Sequence, residues 1–171
     1  MTDWKYIILS KGVQNMVNRI LLSSFDSNLI VTIKNTFYNT GNICVAASYV
    51  PQRADIPSSF QQDLHWLHAD STDKEYGEVF SEISAVVVLA STVGLTEIVR
   101  LAVRFNRPLI FCSTHIPEYS LMILERAASY IPIMAYYYKQ DTLFGITQQI
   151  EACVVEVKNA KITGKIIQKS A

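Results

Sequence analysis

The segment best suited to hold a phosphate group is residues 10–18, which follow a short apolar run at residues 6–9 (YIIL). A helix that begins directly after a buried strand offers unpaired backbone N–H groups and a partial positive charge, both of which attract anions. Dinucleotide-binding turns usually carry three glycines, and this one has Gly12 alone. A working cofactor site and an ordinary strand-to-helix turn therefore both stay open. The residues that would contact a cofactor are Ser10, Lys11, Gly12, Asn15 and Met16.

Lys34 follows a second apolar run, residues 29–33 (LIVTI), which has strand character. The end of the second strand usually presents an acidic side chain to a ribose hydroxyl of the cofactor. A lysine suits a ribose phosphate better, so Lys34 favours NADP over NAD. The alternative is a lysine that extends into solvent.

Hydroxyl side chains follow two further predicted strands. Ser91 and Thr92 come after residues 85–90 (AVVVLA), and Ser113 and Thr114 come after residues 109–111 (LIF). Ligands of open α/β sheets bind over the carboxyl ends of the strands, so these hydroxyls could contact a cofactor. They could equally cap the helices that follow. Tyr137, the middle residue of a tyrosine run, could stack on a flat ligand or pack in a cleft.

Histidines offer two weaker candidates for chemistry. His115 could exchange protons near neutral pH, but the sequence supplies no partner for it. His65 and His68 would share one face of a helix, yet a third metal ligand is lacking, so we expect no metal site. Walker, G-x-S-x-G and metalloprotease motifs do not occur.

The order of elements along the chain predicts a parallel sheet. In the first half we expect a strand at residues 6–9, a helix through Met16, Ile20 and Leu21, and a strand at residues 29–33, which together make a βαβ unit. Residues 43–47 fit a strand or a buried turn, residues 49–57 a loop, and residues 63–68 and 75–83 short helices.

The second half alternates more regularly. Strands are predicted at residues 85–90, 109–111 and 133–135, with right-handed helical crossovers between them that carry apolar stripes at Leu95–Val103 and Leu121–Ala128. A helix over residues 142–154 follows, and residues 154–157 and 162–167 have β character. The fold class is therefore α/β, a Rossmann-like, doubly wound and mostly parallel sheet with helices on both faces.

Composition limits the function classes. Half of the 171 residues are hydrophobic, which indicates one globular domain. Lysine plus arginine equals aspartate plus glutamate at 15 each, so we expect neither nucleic acid nor a membrane as partner, while self-association stays open. The three cysteines, Cys44, Cys112 and Cys153, all lie in apolar surroundings, where we expect packed, reduced thiols. The sequence shows neither a signal peptide nor an apolar stretch long enough to span a membrane, so the expected location is the cytoplasm.

From residue 85 to about residue 145, the chain resembles dihydrodipicolinate reductase, the NAD(P)H-dependent enzyme of lysine biosynthesis. The segments AVVVLAST, NRPLIFCSTHI and ERAASYIPIMAYYY match, in order and spacing, the family's strand ending in DFT, its GKPLVIGTTGF segment and its IPV strand with APNFS. The N-terminal YIILSKGVQNMVNRI aligns with the family's glycine turn through Met16. The resemblance implies a nucleotide-binding core at residues 1–140, with residues 141–171 as the remnant of, or replacement for, the substrate domain.

The chain departs from this family at its functional positions. Lys11, Gln14 and Val17 stand where the family's first turn has glycines, and the GTTG turn is replaced by residues 112–115 (CSTH). Neither the family's paired histidine motif nor its KxDAPSGT motif is present. We therefore expect no catalytic residues and only weak binding of NADP or NAD. The alternatives are an active NADPH-dependent reductase with substituted site residues, and an interaction module that binds no nucleotide.

Overall fold

Twelve elements make up the part of the chain that the computed structural model describes, which is residues 17–24, 27–40, 42–52, 65–89, 94–139 and 143–170. The strands are β1 (Asn18–Ser23), β2 (Ile43–Tyr49), β3 (Trp66–Leu67), β4 (Ala85–Leu89), β5 (Leu109–Ser113), β6 (Ile133–Tyr137) and β7 (Ile167–Ser170). The helices are α1 (Ser27–Thr40), α2 (Asp73–Phe80), α3 (Leu95–Arg104), α4 (Glu118–Ala127) and α5 (Leu143–Lys158).

The seven strands form one sheet in the order β3-β2-β1-β4-β5-β6-β7, and every neighbouring pair is parallel. The chain first adds strands outward from β1 to β3. It then returns to the other side of β1 and continues from β4 to β7. This reversal is the defining topology of the Rossmann-like, doubly wound sheet, so the predicted fold class is confirmed.

One apolar layer covers each face of the sheet, so its central strands are buried on both sides. In β4, Val86 and Val88 pack into the layer that holds α2, α3 and α4, which we term the front face. Ala85, Val87 and Leu89 point into the opposite layer, the back face, which holds α1 and α5. Continuous apolar runs of this kind are typical of parallel strands covered by helices on both faces.

Local signals fix the front helices. Thr72 caps α2: its hydroxyl accepts from the backbone N–H of Glu75 (3.2 Å), while the Glu75 carboxylate accepts from the N–H of Thr72 (2.9 Å). This reciprocal capping box satisfies two N–H groups that the helix leaves unpaired. Pro117 is the N-cap residue of α4 and stands directly before Glu118, the first residue of that helix. The strands predicted at residues 85–90, 109–111 and 133–135 and the helices at the apolar stripes between them are confirmed.

The predicted first βαβ unit is wrong, because strand and helix are exchanged. Ile20 and Leu21, expected in a helix, belong to β1, and residues 29–33, expected in a strand, belong to α1. In α1 the buried residues are Ile30, Ile33 and Phe37, a helical spacing of three and four. The β-branched composition of LIVTI misleads, because its side chains pack as a helical stripe against the back face. Lys34 therefore lies within α1 and not at a strand end.

Four smaller expectations are also corrected, and one falls outside the described residues. Trp66–Leu67 within the predicted helix 63–68 is a strand, β3, whose backbone pairs with the end of β2. Residues 154–157 continue α5, because Val154 and Val157 complete its buried stripe. β7 begins only at Ile167. Cys44 is exposed, whereas Cys112 and Cys153 are buried as expected. The strand predicted at residues 6–9 lies outside the described residues.

The last crossover has the opposite hand to its predecessors. The connections from β4 to β5 and from β5 to β6 step in one direction with α3 and α4 on the front face. The connection from β6 to β7 steps in the same direction, but α5 packs on the back face. Since direction and face together set the hand, the final crossover departs from the usual right-handed rule. Its apolar stripe of Ile150, Cys153, Val154 and Val157 holds α5 on the back face.

Candidate functional site

The candidate site is the crevice at the carboxyl ends of β1 and β4, where the strand order reverses. In open α/β sheets this reversal leaves a gap between the helices of the two faces, and ligands bind there. β1 ends at Ser23, and the buried Ser24 follows it. α1 begins at Ser27, so its N-terminus lies at the same edge of the sheet. The strand-to-helix turn of this protein is therefore Ser24–Ser27, and not residues 10–18 as the sequence suggested.

This turn differs chemically from a phosphate-binding loop. Residues 24–28 read Ser-Phe-Asp-Ser-Asn and include no glycine, although glycines let a pyrophosphate approach the backbone. The sequence also places Asp26 directly before α1. A carboxylate just before a helix competes with a phosphate for the helix N-terminus, because both are anions. The turn therefore supplies hydroxyls next to a helix N-terminus, but its sequence has no glycine and adds a negative charge.

The end of β2 narrows the crevice from one side. Gly94, just before α3, has a positive φ of 74°, and a Cβ atom built on it would lie 3.0 Å from Cγ of Pro51. The segment after β2 and the segment before α3 thus touch across the end of β1. Residues 43–52 contain no acidic side chain that could bind ribose hydroxyls. Tyr49, 1% exposed, occupies that strand end.

Tyr49 is a neutral phenol at physiological pH. Its burial, with smaller contributions from Tyr76 and the Glu97 carboxylate, raises its pKa to about 12. Tyr49, Tyr76 and Glu97 line a cavity of about 180 Å³ between α2 and α3, together with Arg100 and Arg104. The arginines are already paired, Arg100 with Glu97 at 3.6 Å and Arg104 with Asp73 at 3.0 Å. This cavity therefore lacks a free cation for an anionic ligand.

At the ends of β5 and β6 the structure brings two predicted site residues together. Ser113 and Tyr137 are neighbours in the sheet register. The Ser113 hydroxyl donates to the carbonyl of His115 (2.7 Å) and accepts from its N–H (3.3 Å), so it closes its own turn. Thr114 is exposed beside it, and Tyr137 is partly buried. The hydroxyl of Ser113 thus already supports the loop that a ligand would approach.

The tyrosine run extends this edge of the sheet. The backbone N–H of Tyr138 donates to the carbonyl of Ser113 (3.1 Å), which ties the segment after β6 to the end of β5. The rings of Tyr136 and Tyr138 lie 6.2 Å apart and nearly parallel. Burial, followed by the nearby Cys112 thiol, raises the pKa of Tyr138. These rings make a rigid aromatic corner on the back-face side, beside Cys112 and α5.

The remaining predicted residues divide into two groups. Lys34 lies on α1 and is separated along the chain from the end of β2 by the rest of that helix, the turn after it and β2 itself. Outside the described residues are Ser10, Lys11, Gly12, Asn15, Met16, Ser91 and Thr92. Sequence reasoning missed Ser23, Ser24 and Tyr49. The signal that could have found the serines is the pair Ser27-Asn28, because both residue types favour the start of a helix.

In the part of the chain that the structure describes, no group of three or more histidine, cysteine, aspartate or glutamate side chains could hold a metal ion. No described helix is long and apolar enough to cross a membrane.

Comparisons with known proteins concern the fold. No protein-family profile and no curated protein matches the chain. Among solved structures, a dipicolinate-bound dihydrodipicolinate reductase from a Paenisporosarcina species is similar at 13% identity and a TM-score of 0.45, over 91% of this chain and 78% of its own. S. aureus homoserine dehydrogenase is similar at 14% identity and a TM-score of 0.42, over 71% of this chain. L-threonine dehydrogenase from Clostridium difficile is similar at 11% identity and 0.41, over 89% of this chain.

The fold is Rossmann-like. The strand order alone carries that statement, since identities and TM-scores this low add no argument to it. The chain spans 33% of the homoserine dehydrogenase and 53% of the threonine dehydrogenase. The site itself departs from a dinucleotide site at the three places described above: the glycine-free turn, the acid-free end of β2 and the contact between Pro51 and Gly94. The residues present do not fit a tightly held dinucleotide.

Proposed function

We propose that this chain is a non-catalytic binding domain related to dihydrodipicolinate reductase, which binds NADH or NADPH weakly at the β1/β4 crevice. The observation that supports binding is the position of the α1 N-terminus and of Ser23 and Ser24 at the reversal of strand order. The observations that make binding weak are the absence of glycine in residues 24–28 and the contact of Pro51 with Gly94. The link to lysine and diaminopimelate biosynthesis rests on the sequence resemblance.

Loss of hydride transfer follows from the missing reaction groups. Transfer requires cofactor and substrate to be held together, with water excluded and a proton donor in place. Within residues 1–171 the paired histidine motif and the KxDAPSGT motif of the reductase family do not occur. At the carboxyl edge, the Ser113 hydroxyl is engaged in its own turn with His115. We therefore expect no oxidation of NADPH when dihydrodipicolinate is added. Saturable NADPH oxidation would overturn this part of the proposal in favour of an active reductase.

Thermal unfolding with NADH and NADPH tests the binding. A ligand at about five times its dissociation constant stabilises by about 1 kcal/mol, which raises the melting temperature of a domain this size by about 3 °C. Because binding is weak, millimolar concentrations are needed to reach this shift. NADPH should have no advantage over NADH, since Lys34 lies on α1 and not at the end of β2.

A matched pair of charge variants places the binding in the crevice. Asp26→Asn removes the carboxylate that precedes α1, so it should increase the ligand-induced shift. Asp70→Asn makes the same charge change at an exposed turn after β3 and should leave the shift unchanged. Equal shifts in the two variants would contradict binding at the α1 N-terminus. No shift in any variant would favour the interaction module that binds no nucleotide, an alternative that the Pro51–Gly94 contact also supports.

A further inference from the structure

The outer face of α4 exposes large apolar side chains. Tyr119 is 72% exposed, Met122 46% and Tyr130, just after the helix, 65%. Tyr119 and Tyr130 line a groove of about 350 Å³ between α3 and α4, together with Val99, Val103, Ile123 and Ala127. Contiguous apolar surface of this kind usually marks a site of contact with another molecule.

Two of the three charged residues on α4, Glu118 and Arg126, are placed symmetrically about Met122, and the third, Glu125, is exposed beside Arg126. Glu118 lies in the first turn of the helix and Arg126 in the last, each four residues from Met122. Residues four apart share one face of a helix, so Glu118, Met122 and Arg126 form a single line along the exposed side. Each of the three is exposed. Along this line an acidic residue, an apolar residue and a basic residue follow one another. A second copy of the line in the opposite direction would therefore place an acid opposite each base.

We propose that this face binds a second copy of the chain across a two-fold axis at Met122. In a two-fold contact each residue meets its symmetry-related set in reverse order. Two α4 helices packed antiparallel would place each Glu118 opposite the Arg126 of the other copy, and the two Met122 side chains against each other. The α3 helices, side by side with α4 on the front face, would meet in the same way and close both grooves. The contact is a four-helix bundle with two symmetric ion pairs.

Charge balance supports a second copy as the occupant. The chain has no net charge, so two copies experience no long-range repulsion. A partner of another kind would need to present base, apolar, acid at this spacing, which the chain's own α4 already does. The helices α3 and α4 span ten residues each, or about 15 Å, so the contact is small, and we expect a dissociation constant in the micromolar range.

Sedimentation equilibrium of the full chain tests the proposal. The mass should rise from 19.3 kDa towards twice that value as the protein concentration increases through the micromolar range. Met122→Glu brings two carboxylates together at the axis and should abolish the dimer. Val155→Glu is the matched control, because Val155 has a similar exposure of 48% but lies on α5, on the back face. Circular dichroism and the melting temperature establish that both variants are folded.

A charge exchange tests the two-fold register. Glu118→Arg and Arg126→Glu should each weaken the dimer at least tenfold, because each puts like charges opposite one another twice. The double variant restores opposite charges and should recover most of the affinity. A chain that stays at 19.3 kDa throughout overturns the proposal and leaves the groove to a different partner. A dimer that survives Met122→Glu, or a double variant that fails to recover, overturns it as well. Neither result depends on nucleotide binding.

Discussion

The two sides of the sheet differ in how their sequences encode structure. On the β4–β6 side, each strand is a continuous apolar run, and each helix between them carries a clear amphipathic stripe. On the β1–β3 side, β1 begins with Asn18 and Arg19, while the following helix contains the β-branched run LIVTI. On the β4–β6 side, the secondary structure that the local sequence favours is the one that tertiary packing requires. On the β1–β3 side, the two differ. The side where they disagree is also the side that forms the crevice.

The largest expected effect tests whether residues 29–33 are helical. Ile30 is fully buried in α1, whereas Val31 is only partly buried. Ile30→Ala should therefore lower the free energy of unfolding by about 2–5 kcal/mol, measured by urea denaturation. Val31→Ala, its neighbour and control, should cost less than about 1 kcal/mol. A strand would bury residues 29, 31 and 33 on one face, so the reverse ranking of these variants would contradict the helix.

The differences between prediction and structure have physical causes. The strands at residues 85–90 and 109–111 were predicted because strand preference and burial on both faces favour the same outcome there. Residues 29–33 have strand preference, but Thr32 and Thr36 donate their hydroxyls to carbonyls four residues back (2.8 and 3.0 Å), and Ile30, Ile33 and Phe37 form one stripe. A stripe of three residues outweighs the small preference of β-branched side chains for strands.

The exchange of strand and helix in the first predicted unit also displaced the predicted site. Since the first strand was predicted too early, the phosphate turn was assigned to residues 10–18 and the ribose contact to Lys34. Ser113 and Tyr137 were separate candidates, each following a predicted strand, and the structure places them side by side because β5 and β6 are neighbours in the sheet. The contact between Pro51 and Gly94 could not have been predicted, since it joins segments that are distant in sequence.

The second prediction concerns Arg107, whose hydrogen bonds connect α2 with α3 on the front face. The Arg107 guanidinium donates through Nε to the carbonyls of Phe80 and Ile83, both at 2.9 Å, and through Nη1 to Phe105 at 2.9 Å. It thus links the end of α2 to the end of α3. Arg107→Ala leaves several carbonyls without their donor and should cost about 2 kcal/mol of unfolding free energy.

Arg104→Ala is the control for this joint. Arg104 forms an ion pair with Asp73 at 3.0 Å, but both side chains are at least half exposed. Such a surface pair contributes at most about 1 kcal/mol, so the control should be markedly milder in the same urea experiment. Similar losses in the two variants would show that the carbonyl contacts of Arg107 add nothing beyond a surface charge.

The third prediction measures the contact that narrows the crevice. Gly94 and Gly164 have nearly the same positive φ, 74° and 76°, but only Gly94 has a neighbour close to where a Cβ atom would lie. Alanine at either position bears the backbone strain of about 1 kcal/mol. Gly94→Ala must also displace Pro51, so it should be less stable than Gly164→Ala by a further fraction of a kcal/mol. If thermal unfolding shows the same loss of stability for both variants, Pro51 moves away at no energetic cost and the crevice can open.

The smallest expected effect at neutral pH is that of Tyr49, at the end of β2. Its ionisation changes the stability of the protein only at alkaline pH. Its pKa is raised in the folded chain to about 12 from 10.0, chiefly by burial. Below pH 10 the phenol is neutral in both the folded and the unfolded state, so the stability that it contributes is fully present there. Between pH 10 and 12 the unfolded chain releases this proton while the folded chain retains it, so stability falls as pH rises.

Tyr49→Phe removes that proton and should flatten the decline in stability across this interval. Urea unfolding at a series of alkaline pH values measures the slope in the wild type and in the variant. The phenolate absorbance of the folded wild type should show a late step near pH 12 that the variant lacks. If instead the slope is the same in both proteins and the Tyr49 phenolate of the folded wild type appears near pH 10, the Tyr49 hydroxyl reaches solvent. The end of β2 would then be open to solvent and not closed by a buried ring.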